Sequence, residues 1–230
     1  MGGLHEGHLS LVEIAKKHAP KTVASIFVNP TQFGEGEDFE AYPRREAEDA
    51  ALLGQVGCDL IYAPAVSEMY AAGFSTTIKV DSTTESLCGT RRPGHFDGVT
   101  TVVCKLLNQV QPDVAVFGEK DWQQLVTLRR MVRDLDMPIT VVSAPTIREE
   151  DGLAMSSRNR YLTPEERRVA GKLNKALSAS ANLIAQGSAI DHVIAACRQA
   201  LTDSGFGEID YVELGRARLI DNVPIARTQP

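Results

Sequence analysis

Apolar positions along the chain fall into two alternating patterns. From Leu9 to His18 the residues Leu9, Leu11, Val12 and Ala15 recur at helical spacing and basic residues gather at the far end, which predicts an amphipathic helix. The β-branched run Thr22–Val28 predicts a short buried strand that stops at Asn29-Pro30-Thr31-Gln32-Phe33. Next come a predicted helix from Glu46 to Val56, a strand from Cys58 to Tyr62 and a short strand around Thr76 to Val80. A helix from Val99 to Val110 then leads to a strand from Asp113 to Phe117, a helix carrying Gln123 and Gln124, and a strand from Ile139 to Ser143. Strands and helices in alternation predict a doubly wound parallel sheet, whose ligands gather at the carboxyl ends of its strands. Beyond Leu162 the character changes. Thr163 caps a helix with Pro164 at its first position and Glu166 completing a capping box. That helix is predicted to run to about Gln186, and another from about Ala189 to Ser204. The expected division is a larger first domain, 1–146, and a smaller one, 147–230.

Bulk composition narrows the class. The chain has 230 residues, enough for one large domain or two smaller ones, and its 43% apolar and 23% charged content is that of an ordinary globular protein. Asp and Glu number 30 against 24 Lys and Arg, so the net charge of −6 argues against a general nucleic-acid or anionic-membrane surface. An anionic substrate must therefore be held by local donors. Cys58, Cys88, Cys104 and Cys197 form no C-x-x-C pair and read as reduced, mostly packed thiols of a cytoplasmic protein. No apolar run approaches membrane-spanning length, and no signal peptide is visible.

The chemistry clusters at strand ends and at the opening of the chain. Met1-Gly2-Gly3-Leu4-His5-Glu6-Gly7-His8 reads as a glycine-loosened loop entering a helix, where unpaired N–H groups favour an anion. His5 and His8 lie three apart and share one face of the first turn, from which they can donate hydrogen bonds to oxygens gaining charge. The spacing is one short of the zinc-protease His-Glu-x-x-His, and a capped helix start with incidental histidines is the competing reading. Asn29 and Gln32 are amides placed to read a small polar molecule, although turn chemistry alone explains Asn29-Pro30. Arg91, Arg92 and His95 suit a carboxylate or phosphate and equally a solvated turn or a subunit contact. Lys120, in Gly118-Glu119-Lys120-Asp121, can pair with a phosphate, against the alternative that Glu119 or Asp121 merely caps the next helix. Ser156, Ser157 and Arg158 form a ready clamp for a polyphosphate.

Taken as an ordered series, MGGLHEGH, SIFVNPTQF, YPR, RPGHF, QPDVAVFGEKDWQQ, DGLAMSSRNRYL and RLIDN resemble the pantoate–β-alanine ligase family. HEGH is similar to the H-x-G-H signature of the wider nucleotidylyl-transferase superfamily, and MSSR to its second, phosphate-binding signature. The resemblance implies a Rossmann-like first domain with a smaller C-terminal α+β domain, in a cytoplasmic homodimer. It implies that ATP and (R)-pantoate form pantoyl adenylate and pyrophosphate, after which β-alanine attacks to give pantothenate and AMP, with Mg²⁺ accompanying ATP. On this basis His5, His8, Lys120 and Arg158 are the catalytic candidates, His8 as a proton donor. Met1, Gly2, Gly3, Leu4, Glu6 and Gly7 would bind ATP beside the two histidines. So would Gly118, Glu119, Asp121, Ile147, Met155, Ser156 and Ser157. Gln32, Gln124 and Asn29 would hold pantoate and β-alanine. The alternatives are another nucleotidylyl transferase or a catalytically impaired nucleotide-binding fragment. The family has a central strand ending in Pro-Thr before the methionine that is residue 1 here, so the first strand of the sheet is expected to be missing. It also has an intervening turn and strand near Glu213-Leu214, so the small domain is expected to lack a strand.

Overall fold

A computed structural model describes residues 2–34, 36–207, 209, 213–214, 217–218 and 220–225. Met1 and most of the junction around Glu213-Leu214 lie outside the described residues. The chain divides between Pro145 and Thr146 into two compact units.

In the first unit, α1 (Glu6–Ala15) starts earlier than the apolar periodicity indicates, because extended His5 serves as its N-cap. β1 (Val23–Ser25) is followed by a 3₁₀ turn, Pro30–Gln32, by α2 (Glu46–Gln55) and by β2 (Leu60–Tyr62). β1 and β2 pair in parallel, Val23 opposite Leu60, and the Ile26 N–H prolongs the ladder by donating to the Tyr62 carbonyl at 2.9 Å. Leu4, Val12 and Leu53 pack beneath this pair with Ile26 and Ile61.

Short helices α3 (Val66–Met69) and α4 (Cys88–Arg91) precede α5 (His95–Val110). The strand expected around Thr76 to Val80 is absent. Its backbone finds hydroxyls instead of a ladder: the Ile78 N–H donates to Thr101 Oγ1 at 2.9 Å, and Thr100 Oγ1 donates to the Ile78 carbonyl at 2.5 Å. α5 begins four residues before Val99, since Gly94 turns the chain at φ +79° and Asp97 favours the helix start. β3 (Val114–Gly118), α6 (Trp122–Asp134) and β4 (Thr140–Ala144) complete the unit. β3 and β4 are parallel over five residue pairs and pack through Ala115, Phe117 and Val141 against Val99, Leu107, Leu128 and Met131. Among the described residues β1 pairs with β2 and β3 with β4, without a ladder joining the two pairs. The fold is α/β with parallel pairing, as the alternation predicts.

The second unit contains a 3₁₀ turn, Ser157–Tyr161, then α7 (Pro164–Ala170), α8 (Lys172–Ala185) and α9 (Ile190–Asp203). β5 (Glu213–Leu214) and β6 (Ala217–Arg218) form an antiparallel pair. The single helix expected from Pro164 to about Gln186 is two helices meeting at Gly171. A Cβ at Gly171 would collide with the Asp151 carboxylate, which Arg167 holds at 2.5 and 3.1 Å. Gly171→Ala should therefore cost about 2 kcal/mol. In a chain of this size that lowers Tm by roughly 4–8 °C, which calorimetry can check. Leu153, Ala170, Leu173, Leu201 and Phe206 form this unit's core. Cys104 is buried, whereas Cys58, Cys88 and Cys197 are partly exposed, a looser packing than the sequence suggests. No helix among the described residues is long and apolar enough to cross a membrane.

Candidate active site

The opening loop is pinned by a residue that sequence reasoning missed. Gly2 and Gly3 take φ of +85° and +68°, conformations that favour glycine, and the Pro43 carbonyl leaves no room for a side chain at Gly2. Asp49, 1% exposed in α2, accepts the Gly3 N–H at 2.8 Å and the Leu4 N–H at 2.7 Å. Leu4 itself is 7% exposed and its side chain belongs to the core. Two charge-assisted bonds thus set where α1 begins.

The two imidazoles stand together at that start, ring centroids 4.0 Å apart. The His5 N–H donates to His8 Nδ1 at 3.3 Å, so the neutral His8 ring carries its proton on Nε2. Burial pushes the His8 pKa down to about 2, with nearby positive charges, His5 and Lys120 among them, adding to it. His8 is thus a neutral hydrogen-bond donor rather than a cation. The unfolded chain takes up a proton near pH 6.5 that folded His8 refuses, so this group's stabilising contribution is full above that pH and drains away as pH falls toward 2. In ¹⁵N-histidine NMR of the unliganded protein, His8 should hold the Nε2–H tautomer from pH 8 to pH 5. A titration near 6.5 would contradict this arrangement.

α1 packs against β3, bringing the histidines toward the loop after that strand. Lys120 lies there in a 3₁₀ turn, 22% exposed, with Nζ 3.7 Å from Asp121 Oδ1. Asp121 stands at the N-cap of α6, but its side chain makes no capping hydrogen bond. On the following turn Gln123 rather than Gln124 is committed to structure. It donates to the Thr83 and Ser86 carbonyls at 3.0 and 2.8 Å and accepts from the Cys88 N–H at 3.1 Å. Gln124 is half-buried on α6.

Asn29, 1% exposed, organises the turn after β1. Its Oδ1 accepts from Tyr70 at 2.7 Å and from the Thr31 hydroxyl at 3.0 Å, while Nδ2 donates to the Gly98 carbonyl at 3.1 Å and to Gln32 Oε1 at 3.2 Å. Asn29 therefore orients Gln32 with its NH₂ as the donor end. α5 can press against this turn because a side chain at Gly98 would strike the Thr31 carbonyl. Arg92 and His95 also converge here: Arg92 Nη2 at 3.2 Å and His95 Nδ1 at 2.8 Å reach the Gln32 carbonyl.

In the second unit, Ile147 and Met155 face each other across a hairpin, the Met155 N–H donating to the Ile147 carbonyl at 3.0 Å. Ser156 caps the turn that follows, accepting the Arg158 N–H at 3.2 Å, and Ser157 is 5% exposed. Arg148 braces the hairpin. It grips Asp221, whose side chain is 1% exposed, at 2.7 and 2.9 Å and donates to the Gly152 carbonyl at 3.1 Å. RLIDN thus contributes a buried carboxylate that anchors the hairpin.

Known proteins share this organisation. The family model for pantoate-beta-alanine ligase matches residues 1–228. The pantothenate synthetase of Caulobacter vibrioides is 56% identical over 217 residues, covering 94% of this chain and 76% of that protein. That of Sphingopyxis alaskensis is 51% identical over 249 aligned residues, covering 98% and 89%. Those 249 positions exceed the chain's 230, so the Sphingopyxis protein has internal residues without a counterpart here. The crystal structure of the Thermus thermophilus pantothenate synthetase superposes with a TM-score of 0.90 at 46% identity, over 98% of this chain and 91% of that one. The Francisella tularensis pantoate-beta-alanine ligase, solved with β-γ ATP and β-alanine, superposes with a TM-score of 0.83 at 31% identity, over 96% and 85%.

Proposed function

The chain belongs to the pantoate–β-alanine ligase family, and on that premise we propose that it condenses (R)-pantoate with β-alanine, using ATP. The observation that carries this reading is the pair of imidazoles at the start of α1, ring centroids 4.0 Å apart, with His8 presenting its Nε2–H and α1 packed against the strand that leads to Lys120. The Francisella relative's ATP and β-alanine supply the substrate class.

In the first half-reaction a pantoate carboxylate oxygen attacks the α-phosphorus of ATP; the bond to the β-phosphate oxygen breaks and pyrophosphate leaves. Little covalent help is needed from the protein, so catalysis is chiefly positioning and charge neutralisation. His8 Nε2–H donates to a phosphate oxygen as it gains charge, Lys120 supplies the compensating positive charge, and His5 lines the same helix start. Gly7, in the first turn of α1, lets the triphosphate approach the backbone, while Gly2 and Gly3 shape the loop that Asp49 holds and that leads to His5. Gln32 and Gln124 hold the hydroxy acid, with Asn29 setting the Gln32 amide. Then the β-alanine amine attacks the acyl carbon, AMP departs with the acyl-bound oxygen, and the amine proton is released. The second unit brings its own nucleotide candidates, Ile147 and Met155 through Arg158, whose role rests on their motif.

Among the described residues no group of three or more His, Cys, Asp or Glu is arranged to hold a metal ion. Mg²⁺ enters with the nucleotide, as MgATP, on the strength of the family resemblance. A cytoplasmic homodimer completes the proposal, to be checked by sedimentation and cell fractionation. Incubation with pantoate, β-alanine and MgATP should give pantothenate and AMP one to one by mass spectrometry. ADP in place of AMP would exclude the adenylate route.

A further inference from the structure

We propose that Glu37, Arg92 and His95 form a brace that sets the Gln32 amide, making them positioning residues for the hydroxy-acid substrate. Arg92 is 9% exposed and forks onto Glu37, Nε to Oε1 at 2.7 Å and Nη2 to Oε2 at 2.5 Å. Its remaining nitrogen, Nη1, lies 2.9 Å from His95 Nε2. A guanidinium can only donate, so His95 Nε2 accepts, and the neutral ring carries its proton on Nδ1. That Nδ1–H donates to the Gln32 carbonyl at 2.8 Å, the same oxygen that Arg92 Nη2 reaches at 3.2 Å. Two donors from one loop thus converge on one carbonyl, while Asn29 holds the other end of the same residue.

The need for such a brace follows from the intervening chain. Between Gln32 and Glu37 lie Gly34 and Gly36, the latter at φ +80°, neither of which has a side chain to pack. A half-exposed ion pair would do little here, but a shielded bidentate one specifies a single geometry. Lys at position 92 keeps the charge and loses the fork.

The inference rests on the reading that Gln32 contacts pantoate, and one double-mutant cycle separates the two. Gln32→Ala alone should raise the pantoate KM; an unchanged value overturns that reading and the brace with it. Given that rise, Arg92→Lys should lower kcat/KM for pantoate about tenfold while the ATP KM stays within about twofold. In the Gln32→Ala background the same replacement should add less than about twofold, because its effect passes through Gln32. A tenfold loss persisting in that background, or an equal loss against ATP, overturns the brace. Glu37→Gln breaks the same fork with a side chain of equal size and should repeat the pattern, so the test stands even if the lysine variant folds poorly.

Discussion

Replacing His8 with alanine is expected to slow pantoate-dependent adenylate formation by about 10²–10³-fold, the usual effect of removing one donor aimed at developing charge. The loss should fall on kcat, since the bond to phosphate strengthens only as charge builds. His8 is also half-buried and accepts the His5 N–H, so the variant loses a helix-start bond as well. That second effect costs about 1 kcal/mol. It lowers Tm by roughly 2–4 °C, too little to unfold the protein. Stopped-flow or quench measurements beside a thermal melt separate the two effects. A variant with a normal adenylation rate would remove His8 from the chemistry and leave it a cap.

Asp49→Ala should damage stability and activity together. Its carboxylate holds two backbone donors of the histidine loop from within the core, and alanine leaves both buried without an acceptor. Loss of two charge-assisted bonds costs about 3–4 kcal/mol. Tm should then fall by roughly 6–16 °C. Any folded fraction should adenylate slowly, because Gly3 and Leu4 lead directly into His5. Asp49→Asn keeps one acceptor oxygen and should fall between wild type and alanine on both measures. A melt unaffected by Asp49→Ala would show that the glycines hold the loop by themselves.

Legibility in the sequence depended on how far apart the partners lie. The histidine pair could be read because both residues sit within one turn, where spacing alone gives a shared face. Apolar alternation gave the parallel strands and the helices between them, but placed a strand at Thr76–Val80 because it cannot see the hydroxyls of Thr100 and Thr101 taking over that backbone. The need for glycine where α7 meets α8 was invisible for a similar reason: the group that a Cβ at Gly171 would strike is the Asp151 carboxylate, from a distant loop. The supports of the site are likewise long-range. Asp49 acts 46 positions from Gly3, Arg92 acts 60 positions from Gln32, and Asp221 acts 73 positions from Arg148. Asp49 is a charged residue in an ordinary-looking stretch, whereas Arg92 and Asp221 lie in motifs that name no partner, and the role of each appears only when the fold supplies one. Arg92 and His95 illustrate this directly. Their types suggested an anion site, whereas the geometry turns them inward onto Glu37 and a backbone carbonyl.

Pantoate-dependent exchange of labelled pyrophosphate into ATP is the direct test of adenylation by this protein. It reports formation of the acyl adenylate without β-alanine. Exchange is expected to require pantoate and to be lost in His8→Ala. A folded sample that binds ATP yet shows no exchange with pantoate present would contradict it.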